Sequence, residues 1–237
     1  MNKQIKGSLY LIPIPIAENA NSTIPDQVKS AIKNIRYFLT ENPKTARRFL
    51  KSIDLDLKIE RLHIESLDKR TQITELTNLM SPLISGENMG VISESGNPCI
   101  ADPGSIAVNF AHSKAINVIP LTGPSSILLA LVASGFNGQN FTFNGYLPVL
   151  EPDLRKKLKS MEKLVWNFNQ TQIFMETPYR NNKMLKVLMA TLNTEIKLCV
   201  ASDITGQNQL VKTLPVNKWI SNLPDIQKQP TIFLIGQ

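Results

Sequence analysis

Short apolar runs alternate with segments of helical periodicity through the first half of the chain, and polar or proline-rich stretches separate them. Leu9-Tyr10-Leu11-Ile12 reads as a buried strand over 8–12, ended by Pro13 and Pro15. Val28, Ala31, Ile32 and Ile35 recur at helical spacing behind Pro25, which suits the first helical position. Tyr37-Phe38-Leu39-Thr40 predicts a strand, and Asn42-Pro43 then reads as N-cap and first residue of a helix reaching about Lys51. A further strand is expected at 59–64. Ile73, Leu76, Leu79, Met80 and Leu83 predict a helix that Gly86 ends. Strands at 89–93 and 117–120 flank a helix over 104–114. Five strands with intervening helices imply right-handed crossovers and a parallel sheet.

From Thr122 the pattern changes. A helix from about Pro124 to Ser134 leads into a strand over 141–146, and a basic helix covers roughly 153–167. Strands are expected at 171–175, 196–201, 209–214 and 231–235, with a helix near 180–191. The segments 196–201 and 209–214 are close enough to form a hairpin, which predicts a mixed sheet. The expectation is an α/β protein of two domains, 1–121 and 122–237, joined near Leu121.

The chain has 237 residues, 42% of them apolar and 19% charged, which excludes wholesale disorder. No uninterrupted apolar run reaches membrane-spanning length. Lys3 and Lys6 before the apolar stretch Leu9–Ala17 imitate a secretion signal, but Pro13 and Pro15 break the helix such a signal needs, so a cytoplasmic location is expected. Cys99, Cys199, His63 and His112 are too few and too scattered for a disulfide framework or a metal cluster, and both cysteines read as buried thiols. The net charge of +7 is concentrated. Residues 29–51 hold seven cations against Glu41, and residues 155–163 hold five against Glu162, leaving the remainder net negative. Such clusters suit a nucleic-acid partner, although charge runs are somewhat more often solvated helix faces.

Several familiar sites are absent: no G-x-G-x-x-G after a strand, no P-loop, no H-E-x-x-H and no G-x-S-x-G. What remains is a set of loops rich in small residues. Ser93 to Gly104 follows a strand of the parallel sheet, the usual ligand position in α/β proteins. Gly96 allows positive φ there, and Glu94, Asn97 and Asp102 supply acceptors. Asp102-Pro103 also reads as N-cap and first residue of the next helix, the role favoured for Asp102. Gly123-Pro124-Ser125-Ser126 stands at the expected boundary, and Glu176-Thr177-Pro178-Tyr179-Arg180 predicts a strand-to-helix turn with a local ion pair.

Taken in order, these blocks resemble the tetrapyrrole (corrin/porphyrin) methylase family. Within it they resemble the branch of ribosomal RNA small subunit methyltransferase I, which methylates a ribose 2′-hydroxyl. Gly7 to Ile16 looks like the family's opening strand and loop, Ser93 to Gly104 like its most specific motif, and the blocks at 123–126 and 176–180 like the next two. The resemblance implies a class III-type, two-domain methyltransferase that uses S-adenosyl-L-methionine between its domains, commonly as a homodimer. Carried over by position, Pro15, Gly96, Asn97, Ile100, Ala101, Ser125, Ser126, Met175, Ala201, Pro230 and Thr231 would bind the cofactor. No metal is implied.

The chain departs from the ribosomal branch on the substrate side. It has Pro13-Ile14-Pro15-Ile16-Ala17-Glu18-Asn19 for Thr-Pro-Ile-Gly-Asn-Leu, and Glu41-Asn42-Pro43-Lys44 for Glu-Asp-Thr-Arg. Ala201-Ser202-Asp203-Ile204-Thr205-Gly206 replaces Ala-Arg-Glu-Leu-Thr-Lys. A hydroxyl acceptor must lose its proton as it attacks, and Glu41, Glu94 and His63 are candidates by residue type. Glu41, beside the basic residues Lys44, Arg47 and Arg48, leads on the substrate side. Three readings stay open: a methyltransferase of ribosomal RNA, a methyltransferase of a tetrapyrrole or other small molecule, and a non-catalytic protein binding cofactor and RNA.

Overall fold

The computed structural model describes residues 6–53, 56–68 and 70–237 and divides into two compact units, Met1–Pro124 and Ser125–Gln237. In the first, β1 (Ser8–Ile12), β2 (Tyr37–Thr40), β3 (His63–Ser66), β4 (Met89–Ile92) and β5 (Asn117–Pro120) form one sheet of order β3-β2-β4-β1-β5. Every pairing is parallel. The helices between them are α1 (Asp26–Ile32), α2 (Pro43–Ile53), α3 (Ile73–Leu79), α4 (Ser81–Ile84) and α5 (Ser105–Ser113). The strands read as nearly continuous apolar runs because both faces are covered. Val28, Ile32, Ala46, Phe49 and Leu50 of α1 and α2 pack on Ile12, Phe38 and Ile92. Leu76, Leu83, Ala107, Phe110 and Ala111 of α3, α4 and α5 pack on Leu9, Leu39 and Val91, with Met80 between α3 and α4.

This order creates a switch point. After β1 the chain enters the helical layer of α1 and α2; after the adjacent β4 it enters the opposite layer, with α5. A crevice therefore opens between the carboxyl ends of β1 and β4, the position at which open α/β sheets bind ligands. Strand register brings Ile12, Ile92, Thr40 and Ser66 into one row at that edge, so the loops that follow β1, β4 and β2 emerge together.

The second unit comprises α6 (Ser126–Ser134), β6 (Phe141–Tyr146), α7 (Glu151–Phe168), β7 (Thr171–Met175), α8 (Asn181–Thr191), β8 (Lys197–Ser202), β9 (Leu210–Pro215), α9 (Val216–Trp219) and β10 (Thr231–Gly236). Its sheet, β6-β7-β10-β8-β9, is mixed: β6 and β7 run parallel, and the other pairings are antiparallel, including the β8–β9 hairpin. The larger core lies beneath α7, α8 and α9, with Phe174 stacked on Phe233 and the Trp219 indole donating to the Leu198 carbonyl at 2.9 Å. Glu162, buried on α7, accepts from Lys159 at 2.8 Å and from the Asn193 amide at 2.6 Å, so α7 is tied to the turn after α8.

Several boundaries differ from expectation. Ile59–Arg61 is a turn of 3₁₀ helix and the third strand begins only at His63, because β2 recruits His63 to Ser66 as its partners. The helix expected from Ile73 breaks at Met80, whose ψ near 0° divides it into α3 and α4, with Pro82 in the first turn of α4. Pro25 caps α1 from outside rather than opening it. Helix α9 had no visible signal in its four residues. Among the described residues, no helix is long and apolar enough to cross a membrane.

Candidate functional site

At the carboxyl edge of the first sheet the loop after β1 is zipped to the loop after β4. Ile14 and Gly96 form an isolated antiparallel bridge, and the Ile14 amide donates to the Gly96 carbonyl at 3.0 Å. Gly96 has φ +68°, and a Cβ on it would lie 3.2 Å from Ile16 Cγ2 and 3.3 Å from the Pro124 carbonyl oxygen. Gly123 lies flat against the Pro13 ring; a Cβ there would come within 2.2 Å of Pro13 Cβ and Cγ. Two glycines thus let three loops close over one another.

The Ser93–Gly104 loop is held in a strained form. Cys99 (φ 72°) and Ala101 (φ 66°) both occupy the left-handed region, which non-glycine residues rarely adopt. The Asp102 carboxylate stabilises this geometry by accepting the Cys99 amide at 2.9 Å and the Gly104 amide at 2.7 Å. Asp102 is therefore a clamp within the loop and not the N-cap of the following helix, which begins only at Ser105. Burial pushes the Cys99 thiol up to about 11, with the Asp102 carboxylate adding to the effect. Between the two strained residues, Ile100 is exposed with its side chain in solvent.

Glu94, the first exposed residue after β4, accepts a hydrogen bond from Asn42 Nδ2 at 3.0 Å. The Asn42 oxygen accepts the amides of Lys44 at 3.1 Å and Thr45 at 3.4 Å, so the residue also caps α2 as its position predicts. Glu41 lines a shallow, open hollow with Thr40, Ser93, Asp102, Pro103 and Gly104. His63 does not join this group. It is the first residue of β3, at the amino edge of the parallel sheet, stacked on Tyr37 with ring centroids 4.7 Å apart. The sheet separates it from the carboxyl-edge loops, which removes it as a proton acceptor.

In the second unit, Ser125 caps α6 by accepting the Leu128 amide at 3.4 Å, and Ser126 opens the helix. Met175 and Ala201 both pair with Ile232 of β10 and lie with it on the sheet face that α6 covers. Thr231 pairs with Ser202, and its hydroxyl is 2.9 Å from the Ser202 hydroxyl; Pro230 precedes it in the open. A buried amide sets this corner: Asn181 Nδ2 donates to the Gln229 carbonyl at 2.6 Å and to Thr231 Oγ1 at 3.2 Å. Glu176 is buried, accepts the Thr177 amide at 2.7 Å and pairs with Arg180 at 3.0 Å, as its spacing predicts.

Pro15, Gly96, Asn97, Ile100 and Ala101 thus share adjoining loops of the first unit. In the second, Met175 and Ala201 share the sheet face that α6 covers, Ser125 and Ser126 begin that helix, and Thr231 lies on the opposite face with Ser202. Asn42, Asp102 as a clamp, Asn181 and Gln229 had not been legible. Asn42 showed only its capping signal, and a buried asparagine carries no sequence signature. Within the first unit, the small residues and left-handed backbone of these loops allow a ligand to approach the backbone closely. Among the described residues no cluster of metal-ligating side chains occurs.

The family model for tetrapyrrole (corrin/porphyrin) methylases matches residues 22–218. The ribosomal RNA small subunit methyltransferase I of Vibrio cholerae is 25% identical over 96% of this chain and 76% of its own length. That of Buchnera aphidicola is 27% identical over 94% and 74%. Among solved structures, the methyltransferase CobJ superposes with a TM-score of 0.65 at 16% identity, covering 98% of this chain and 94% of its own. Diphthine synthase gives 0.68 at 10% identity, covering 97% and 89%. The structural matches establish the fold.

Proposed function

The chain belongs to the tetrapyrrole (corrin/porphyrin) methylase family and is an S-adenosylmethionine-dependent methyltransferase, and on that premise we propose that its acceptor is the ribose 2′-hydroxyl of small-subunit ribosomal RNA. The observation that carries the RNA part of the reading is the set of relatives named ribosomal RNA small subunit methyltransferase I that match nearly the whole chain; the ribose hydroxyl follows from the resemblance of the sequence blocks. When bound, the cofactor supplies a methyl group on a sulfonium. The residues carried over by position are its proposed contacts. Homodimer formation and a cytoplasmic location belong to the same reading; exposed Leu128 and Val132, one turn apart on the apolar helix α6, support the former.

The chain's own contribution is placement. Methyl transfer is an in-line displacement, so holding the acceptor oxygen in line supplies much of the acceleration. Glu94 takes the hydroxyl proton in this scheme. Asn42 fixes one of its carboxylate oxygens at the carboxyl edge of the sheet, beside the ends of β2 and β4. Glu41, one strand over, lines the hollow beside Ser93 and Asp102 and takes a substrate-side role in this scheme.

One observation favours a second reading, a small-molecule acceptor. Ser202 stands where the ribosomal branch has an arginine, and it is fully buried, bonded to Gln229 and Thr231. The test is transfer of label from S-adenosylmethionine to small-subunit ribosomal RNA taken from cells that lack the modification. Labelled RNA, with the label at one ribose, is the expected result. Cofactor binding without labelled RNA overturns the RNA reading in favour of the small acceptor.

A further inference from the structure

Helix α2 separates its side chains cleanly. Ala46, Phe49 and Leu50 are buried against the sheet, while Lys44, Arg47, Arg48 and Lys51 are all exposed. The four cations stand at i, i+3, i+4 and i+7, which places them on one stripe of the helix opposite the buried one. At about 1.5 Å per residue the stripe is about 10 Å long, enough to meet more than one phosphate of a strand. None of the four has an ion-pair partner among the described residues. The second basic cluster, on α7, is different: Arg155 is held by Glu151 at 2.7 Å and Lys159 by Glu162 at 2.8 Å, so part of its charge is already neutralised.

We propose that the α2 stripe is the surface on which the RNA backbone docks, an inference that rests on the RNA reading above. Its position argues for a role beyond adhesion. Because α2 follows β2, it begins at the carboxyl edge of the sheet and runs back along it, so Lys44 is nearest the crevice and Lys51 farthest. Asn42, two residues before Lys44, holds Glu94. A strand bound along the stripe is therefore delivered to the edge where Glu94 stands. The guanidinium groups of Arg47 and Arg48 suit bidentate phosphate contacts. An anionic membrane is a poorer fit, since interfacial helices bury apolar residues in the lipid and those of α2 face the core.

The experiment compares RNA binding, without cofactor, as a function of salt for three full-length proteins: wild type, a variant with Lys44, Arg47, Arg48 and Lys51 all changed to Gln, and a control with Lys163, Lys186, Lys197 and Lys218 changed to Gln. The two variants carry the same net charge, and equal S-adenosylmethionine affinity in both reports that each is folded. In the stripe variant the slope of log affinity against log salt should fall by about 3, and affinity at low salt by about tenfold or more, with a smaller change in the control. A stripe variant with unaltered slope overturns the proposal. So does an equal loss in both variants, which would mean diffuse charge attraction, or a stripe-dependent capture of phosphatidylserine vesicles with RNA binding intact. If the wild type neither binds nor methylates RNA, the RNA reading itself fails; wild-type methylation with an unaffected stripe variant removes only the docking surface.

Discussion

Asn42 and Glu94 are 52 positions apart in sequence, yet Asn42 Nδ2 lies 3.0 Å from Glu94 Oε1. The same asparagine caps α2 through its oxygen, so one side chain both starts the basic helix and holds a carboxylate at the carboxyl edge of the sheet. Parallel pairing of β2 with β4 in register makes the contact possible, since Thr40 and Ile92 end their strands side by side.

The two roles of Asn42 can be separated. In Asn42→Asp the cap survives, but the donor to Glu94 gives way to a like-charged oxygen in the same place. The favourable charge at the start of α2 offsets the repulsion, so stability to urea should change by less than about 1 kcal/mol while kcat falls. In Asn42→Ala both are lost, and the protein should lose about 1 kcal/mol in addition. Equal kcat in wild type and Asn42→Asp would show that the contact does not position Glu94.

Glu94→Gln keeps the shape and removes the proton acceptor. The expected loss in kcat is about 10²-fold, with cofactor affinity within about twofold of wild type. Glu41→Gln should change KM for the RNA more than kcat. Steady-state kinetics with labelled cofactor decides both, and a reversal of the two effects would exchange the roles of the residues.

Gly96→Ala places a Cβ 3.2 Å from Ile16 Cγ2 on a backbone with φ +68°. Strain alone predicts a loss of about 1 kcal/mol in unfolding free energy. Opening the Ile14–Gly96 bridge should also weaken S-adenosylmethionine binding, measured by calorimetry, by more than the stability loss accounts for.

Arg180→Ala leaves the buried Glu176 carboxylate with only the Thr177 amide, and should destabilise the protein by about 3 kcal/mol in denaturant titration. Removing the charge as well, in Glu176→Gln with Arg180→Ala, should recover part of that loss. No recovery would mean that the arginine acts through packing.

Cys99, with its thiol pushed up to about 11 from 9.0, is protonated at neutral pH. Its thiolate fraction near pH 7 is lower than that of an ordinary protein thiol by about 100-fold. Alkylation by iodoacetamide, followed by mass spectrometry, should be slow below pH 9 and still rising at pH 11. Asp102→Asn should shift the profile to lower pH, because the carboxylate contributes to the elevation.

The loops after β1, β4 and β5 were legible because their chemistry is local: small residues and prolines placed directly after apolar runs. The Glu176–Arg180 pair was legible for the same reason, as a four-residue spacing. Asp102 was misread because a carboxylate before proline is equally an N-cap or a loop clamp; the left-handed Cys99, which turns its amide back toward Asp102, decided between them. His63 looked like a catalytic candidate by residue type, and its place on the amino edge follows only from where β3 starts.

Residue spacing by itself determined that the chain is α/β, with a parallel arrangement in its first half and a hairpin in its second. It also determined the blocks by which the family is known, and the spacing of cations on α2. These depend on backbone periodicity, turn conformation and side-chain size, which act over a few residues. The tertiary structure decided the rest: the strand order that opens a crevice between β1 and β4, the meeting of Asn42 with Glu94, and the side of the sheet on which each polar group stands. Those depend on which distant apolar faces pack together, because every crossover carries a loop to one edge and one face of the sheet at once.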